Sequence, residues 1–157
     1  MIVNRLRLLM AIPVPWVFVL TYLFGVALGH AWPCLLPAAA HPGVALIGGV
    51  LLAIGAGIAG WGLWTFRRAG TTTVPGSASS VLVTWGPYRF TRNPMYVGLT
   101  LAYLGEAGLL HQTWPVFLLP LTLAYVNWIV IPVEEAKLKE VFAEEYERYR
   151  FNVRRWV

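Results

Sequence analysis

Long apolar runs alternate with short polar segments along most of this chain. Four runs stand out, at residues 12–29, 44–64, 95–110 and 114–132. About 20 apolar residues cross a bilayer, with a working range of roughly 17–25. The second and fourth runs meet that length, and the first meets it with two early prolines, Pro13 and Pro15. The third reaches it if it extends to about Gln112, giving a predicted span of 95–112. Backbone groups inside a bilayer find no water, so each run predicts a helix. After Pro132 the pattern changes. Leu138, Val141, Phe142, Tyr146 and Tyr149 recur at steps of three and four among charged residues, which predicts an amphipathic helix with Pro132 at its start. The expected fold is all-α: a polytopic membrane protein of four transmembrane helices plus a C-terminal amphipathic cytoplasmic helix, in a single domain over residues 1–157.

The connecting segments orient these elements. Neither the link at 30–43 nor the link at 111–113 contains Lys or Arg. All 12 Lys and Arg residues lie in the N-terminal stretch, the central loop 66–93 or the tail 133–157. Four spans place those three segments on one face, and the positive-inside rule makes that face cytoplasmic. Both termini are therefore expected on the cytoplasmic side of a bacterial-type inner membrane. The first run has the basic start of a signal peptide, but it is long and no small-x-small cleavage site follows, so it reads as a retained span.

Composition sharpens this reading. Hydrophobic residues make up 58% and charged residues 12%. Soluble domains carry roughly 25% charged residues, so a soluble globule is excluded, and so is a disordered chain. The single cysteine, Cys34, excludes an internal disulfide framework, and the scattered His30, His41 and His111 form no metal-binding pattern. The net charge is +5, and residues 1–105 contain no Asp or Glu. Basic residues alternating with apolar runs fit a membrane surface rather than a nucleic acid. The second run is rich in small residues, and pairs four apart, such as Ala45 with Gly49 or Ala56 with Gly60, predict close helix packing. Trp61 and Trp64 read as interface anchors.

Candidate chemistry concentrates in two places. The central loop begins FRRAGTTTVPGSASS, polar and full of breakers, and ends WGPYRFTRNPMY, with Trp85, Tyr88 and Phe90 set among Arg89 and Arg92. Pro94 can start the third helix while Asn93 caps it, and such a helix start is also a ready anion site. Glu134 and Glu135 sit where the last span meets the amphipathic helix. Acids are favoured at a helix N-terminus by the dipole alone; a carboxylate there can also accept from a ribose or an amine. Glu106 is the third candidate. It lies roughly 16 Å along the helix from Met95, near mid-bilayer, where acids are functional by default, unless the helix sits high enough to bring it to the outer surface. Asn127 is either its partner or an inter-helix hydrogen-bonding group. No phosphate loop, dinucleotide fingerprint or Ser-His-acid set is legible.

The run LVTWGPYRFTRNPMYVG, followed by EEAKLKEVFAEEYERYRFNVRRW, resembles the isoprenylcysteine carboxyl methyltransferase family, within the wider group that includes phospholipid methyltransferases. The resemblance covers about residues 66–157. It implies S-adenosylmethionine as methyl donor and a cytoplasmic-side pocket for it, built from the loop before the third span and the C-terminal helix. The positions implied for that pocket are Leu82, Val83, Gly86, Tyr88, Asn93, Pro94, Met95, Tyr96, Glu134 and Glu135. Arg92, Asn93 and Glu106 are the candidates for a direct part in catalysis. Leu138 completes the Glu-Glu-x-x-Leu pattern, and Tyr146 and Tyr149 match paired tyrosines. No metal is implied. Two positions depart from the prenylcysteine pattern: Asn93 stands where a His is usual, and Val130 where an Arg is usual. The implied acceptor is therefore broad: a prenylcysteine-like carboxylate, a lipid amine or a thiol, carried by a lipophilic or lipid-modified molecule among membrane lipids. The alternatives are a membrane reductase of related fold and a non-enzymatic subunit or carrier using Glu106. Oligomeric state is open.

Overall fold

The computed structural model describes residues 13–34, 41–70 and 81–157. Arg5, Arg7, the start of the first predicted span at Ile12 and the breaker-rich stretch 71–80 lie outside the described residues. Every regular element described is helical. Helix α1 is Val14–Ala31, α2 is Pro42–Arg68, α3 is Pro94–Leu109 and α4 is Thr113–Tyr125. A π-helical turn, Val126–Val130, joins α4 to α5, Ile131–Asn152, and a 3₁₀ turn, Gly86–Arg89, precedes α3.

Three helical runs are long and apolar enough to cross a membrane: α1, α2 and the continuous run Thr113–Asn152. The α3 helix corrects the sequence reading, because it has 16 residues and stops before Gln112. That gives about 24 Å at 1.5 Å per residue, short of a hydrocarbon core of about 30 Å. It stops because His111 takes a left-handed conformation, φ 54°. The Gln112 N–H then turns back to donate to the Ala107 carbonyl at 2.8 Å.

Pro132 does not begin a new helix, which is a second correction. The helix runs on through it, because the π-helical turn just before it loosens the hydrogen-bond ladder where the proline ring would crowd the preceding turn. The amphipathic stretch thus continues the fourth apolar helix. It is broken once, at Ala143, where φ is 42° and ψ −114°. Beyond that break Tyr146 is buried and Tyr149 half-buried, whereas Val141 of the predicted stripe is exposed.

Small residues do set the helix packing, but the tightest contacts are spaced by seven and the predicted pair Ala56 and Gly60 is not among them. Gly48, Gly55 and Gly62 of α2 recur every seven residues and return to one face after two turns. A Cβ on Gly55 would lie 2.5 Å from the Gly98 carbonyl oxygen, and one on Gly105 would lie 2.7 Å from that of Gly48. Gly62 meets the Met95 side chain. The order of these contacts makes α2 and α3 antiparallel, backbone against backbone. Gly60 faces open space and Ala56 is exposed. Spacing by four assumes a short crossing; a near-parallel seam instead selects spacing by seven.

The second helix pair is α1 with α4. Gly25 abuts Pro115, and the Trp114 indole N–H donates to the Trp32 carbonyl at 2.7 Å. Tyr103 of α3 locks the two pairs together. Its ring meets Phe18 and Tyr22 edge-on, and its hydroxyl donates to the Pro115 carbonyl at 3.0 Å. This core leaves the Pro94 end of α3 facing the loop 81–93 and the last part of the chain.

Candidate functional site

The loop is anchored first by apolar and conformational means. Leu82 and Val83 are buried. Gly86 has φ 64°, and a Cβ there would lie 2.9 Å from the Thr65 hydroxyl of α2. A side chain would thus be strained twice over. Next, the 3₁₀ turn delivers Tyr88 into the interior, its ring edge-on to Phe66 with centroids 5.0 Å apart. Its carbonyl accepts from the Tyr149 hydroxyl at 2.7 Å. The loop is thereby pinned to α2 on one side and to α5 on the other.

The last residues of the chain then fold back under the loop. The Arg155 carbonyl accepts from the Thr91 hydroxyl at 3.0 Å and from the Asn93 side-chain amide at 2.9 Å. The Arg92 N–H donates to the Arg154 carbonyl at 2.9 Å. Asn93 occupies the capping position of α3, but its side chain makes no capping bond; this corrects the sequence reading. Its amide is spent on the tail instead.

The two adjacent acids have different surroundings. Glu135 is held by two arginines. Arg92 Nη1 lies 2.8 Å from Oε1, and Arg155 donates twice, Nη2 to Oε2 at 2.6 Å and Nε to Oε1 at 3.2 Å. The Arg92 and Glu135 side chains are only 11% and 14% exposed, so the pair is shielded and hydrogen-bonded as a buried pair requires. Arg92 also donates to the Tyr146 hydroxyl at 3.2 Å. Glu134, by contrast, accepts from the Tyr96 hydroxyl at 2.7 Å and makes no ion pair among the described residues. It lies just beyond Pro132, the end of the apolar run. Burial pushes its carboxyl above the usual range, and the Tyr96 bond and the Lys137 charge oppose that only in part.

Two buried polar atoms beside this cluster have no hydrogen-bond partner: the Tyr88 hydroxyl and Arg92 Nε. Buried polar groups are nearly always paired, so these two have donor capacity that a polar ligand could fill. Burial, the Tyr149 phenol and the charge of Glu134 all raise the Tyr88 hydroxyl, keeping it protonated and able to donate. One spare carboxylate and two spare donors match the chemistry of an amine or ribose on one side and a carboxylate on the other. S-adenosylmethionine carries all three, so the residues present fit that group.

Of the positions expected at the site, Arg92, Asn93 and Glu135 are joined through Arg155, Tyr96 is bonded to Glu134, and Tyr88 is bonded to Tyr149 of α5. Pro94 is buried and Met95 packs on Gly62, both at the start of α3. Leu82, Val83 and Gly86 shape the loop. Glu106 is not part of this cluster. It lies 12 residues beyond Pro94, about 18 Å along the helix, and is exposed. Asn127 is not its partner, because its side-chain oxygen accepts from the Trp156 indole at 3.0 Å. The sequence reading missed Thr91, Arg155 and Trp156. The only signal for Arg155 and Trp156 was a basic, aromatic ending after the last helical stripe, on a tail whose net charge is zero, and Thr91 left none.

A bundle built from long apolar helices, with a polar cluster at the Pro94 end of α3, has the build of a helical integral membrane protein. The phospholipid methyltransferase family model matches residues 44–145, roughly two thirds of the chain. The chain belongs to that family, one of integral membrane methyltransferases. The match takes in the loop, α2 to α4, and both Glu134 and Glu135; Tyr146, Tyr149, Arg155 and Trp156 fall beyond it. No curated protein and no solved structure matches the chain.

Proposed function

We propose that this protein is an S-adenosylmethionine-dependent methyltransferase acting on a membrane-soluble acceptor, with four membrane-embedded helices, the short α3 among them, and both termini on the cytoplasmic side. In this reading the donor enters from the cytoplasm and the acceptor from the lipid. The observation that carries the reading is the juxtaposition of a singly bonded Glu134 with two unpartnered buried donors, the Tyr88 hydroxyl and Arg92 Nε, in a chain of this family.

When bound, the donor supplies an electrophilic methyl group on a sulfonium. Each residue has a role short of the transfer itself. Glu134 accepts from the donor's ammonium or ribose hydroxyls and contributes a negative charge. Arg92 Nε and the Tyr88 hydroxyl donate to its carboxylate and neighbouring acceptors. Tyr96 holds Glu134 in place through the 2.7 Å bond. Glu135 acts indirectly, fixing Arg92 and the tail, because both of its oxygens are already committed to guanidinium groups. Methyl transfer is an in-line displacement, so positioning and exclusion of water supply most of the acceleration. An acceptor carboxylate or thiolate needs no dedicated base, which suits a site without one.

The acceptor class is a prenylcysteine-like carboxylate, a lipid amine or a thiol. The two departures from the prenylcysteine pattern bear on that choice. Asn93 is bonded to the tail and Val130 is buried in the core, so neither is free to recognise a substrate carboxylate. The test is transfer of tritiated methyl from S-adenosylmethionine into lipid-extractable product, using membranes that contain the protein. Wild type is expected to label a lipid species and Glu134→Gln to label it at under a tenth of that rate; equal labelling by both would refute the reading.

A further inference from the structure

The described arginines differ in their pairing, and Arg148 and Arg154 of the tail are exposed and make no ion pair among the described residues. Arg92 and Arg155 are held by Glu135, and Arg150 lies beside Glu147. Arg67, Arg68 and Arg89 are exposed and have no carboxylate partner among the described residues. The stretches outside the description hold no acid either, since the first Asp or Glu in the chain is Glu106. These three cations therefore form no ion pair with a carboxylate among the described residues.

They share one end of the molecule. The 3₁₀ turn that carries Arg89 packs on the last turns of α2 through Gly86 against Thr65 and Tyr88 against Phe66. Arg67 and Arg68 follow directly in α2. Two of the three lie over aromatic rings, Arg68 5.1 Å from the Trp64 centroid and Arg89 5.5 Å from the Phe90 centroid. Those rings are themselves 55% and 65% exposed. An exposed ring beneath an unpaired guanidinium is poorly suited to bulk water. It suits the headgroup layer, where the ring meets the upper acyl chains and the guanidinium meets phosphate. A guanidinium stacked on a ring keeps its N–H edge free for a phosphate's two oxygens.

We propose that Arg67, Arg68 and Arg89, backed by Trp64 and Phe90, form a binding surface for the phosphate groups of anionic phospholipids in the leaflet at the Pro94 end of α3. Charge complementarity selects the partner: three unpaired cations at the end of an apolar helix, without a nearby acid, attract the anionic lipids of that leaflet. The same turn carries Tyr88, so lipid bound there also steadies the loop of the candidate site. The proposal depends on membrane insertion and not on methyl transfer.

The test uses full-length protein in phosphatidylcholine nanodiscs containing a trace of spin-labelled lipid, either phosphatidylglycerol or phosphatidylcholine. The immobilised fraction of each label is read by electron paramagnetic resonance. Wild type is expected to immobilise phosphatidylglycerol several-fold more than phosphatidylcholine, with the preference falling as salt rises. The R67Q/R68Q/R89Q variant is expected to lose the preference, R67K/R68K/R89K to keep part of it, and R89Q alone to reduce it. Equal immobilisation of the two labels by wild type would overturn the proposal. So would an undiminished preference in R67Q/R68Q/R89Q or, if that variant does not fold, in R89Q. Loss of the preference only on replacing Arg5 and Arg7 would assign it to the N-terminal stretch and contradict the proposal.

Discussion

Between Gly48 and Gly62, α2 meets α3 backbone to backbone; beyond the Pro94 end of α3, the loop, α5 and the tail meet side chain to side chain. The first contact is made by main chain and tolerates no added atom, since Cβ atoms on Gly55, Gly98 and Gly105 would all collide with main chain. In a bilayer, apolar surface gains little by leaving lipid, so shape complementarity must drive this association. The second contact is a network in which Glu135 links two arginines while the tail carbonyls receive Thr91, Arg92 and Asn93. It leaves Glu134, the Tyr88 hydroxyl and Arg92 Nε with bonding capacity to spare. The comparison teaches that rigidity and ligand capacity are separated along α3: the glycine seam fixes the helix, and the polar network at its end offers the unfilled positions.

Breaking the seam should have the largest effect. Gly55→Leu drives a side chain into the Gly98 and Ala102 backbone, which cannot yield as a flexible side chain would. Overpacking typically costs about 1–3 kcal/mol and sometimes more; here the helices must separate, so little folded protein is expected on size exclusion. Gly57→Ala, which faces open space, is the control and should express as wild type.

Breaking the clasp should come next. Glu135→Ala leaves Arg92 and Arg155 without their counter-charge in a shielded site. Removing one partner of a buried pair costs about 3–5 kcal/mol, and the 30% exposure of Arg155 places the expected loss at the lower end. Thermal unfolding in detergent would show it as a clear drop in midpoint, and donor binding would weaken as well.

Glu134 sharpens the contrast, because its substitution should separate stability from binding. The folded state holds this carboxyl's pKa above its ordinary value, chiefly through burial. Such a group binds its proton more tightly when folded, so its contribution to stability is favourable at acidic pH and declines as pH rises through the raised value. Glu134→Gln removes that decline. The variant should be no less stable than wild type at neutral pH, with a flatter stability profile between mildly acidic and neutral pH. Its donor affinity should fall at least tenfold, about 1.4 kcal/mol. Circular dichroism melts across pH, beside binding isotherms, would check both halves.

The smallest effect is expected at Glu106. It lies about 18 Å along α3 from Pro94, outside the network, so Glu106→Gln should leave donor affinity unchanged.

How far the sequence reaches follows the same division. Apolar runs announced all four apolar helices, and the motif residues of the loop and α5 do converge. Glycine content announced close packing but not its seam, because composition does not reveal which spacing a neighbour will select. The end of α3 depended on His111 adopting a left-handed conformation, and the continuity through Pro132 on a π-helical turn. Neither leaves a mark in periodicity. The different duties of Glu134 and Glu135 were illegible for another reason. They depend on Arg155, 20 residues away, and on a tail that folds back beneath the loop.

The central claim is that Glu134, not Glu135 or Glu106, is the carboxylate that meets the methyl donor. Isothermal calorimetry of S-adenosylmethionine with detergent-purified wild type, Glu134→Gln and Glu106→Gln tests it most directly. The account predicts saturable binding to wild type, the same affinity in Glu106→Gln, and at least a tenfold loss in a folded Glu134→Gln. Unchanged binding in Glu134→Gln, or no binding to folded wild type, would contradict it.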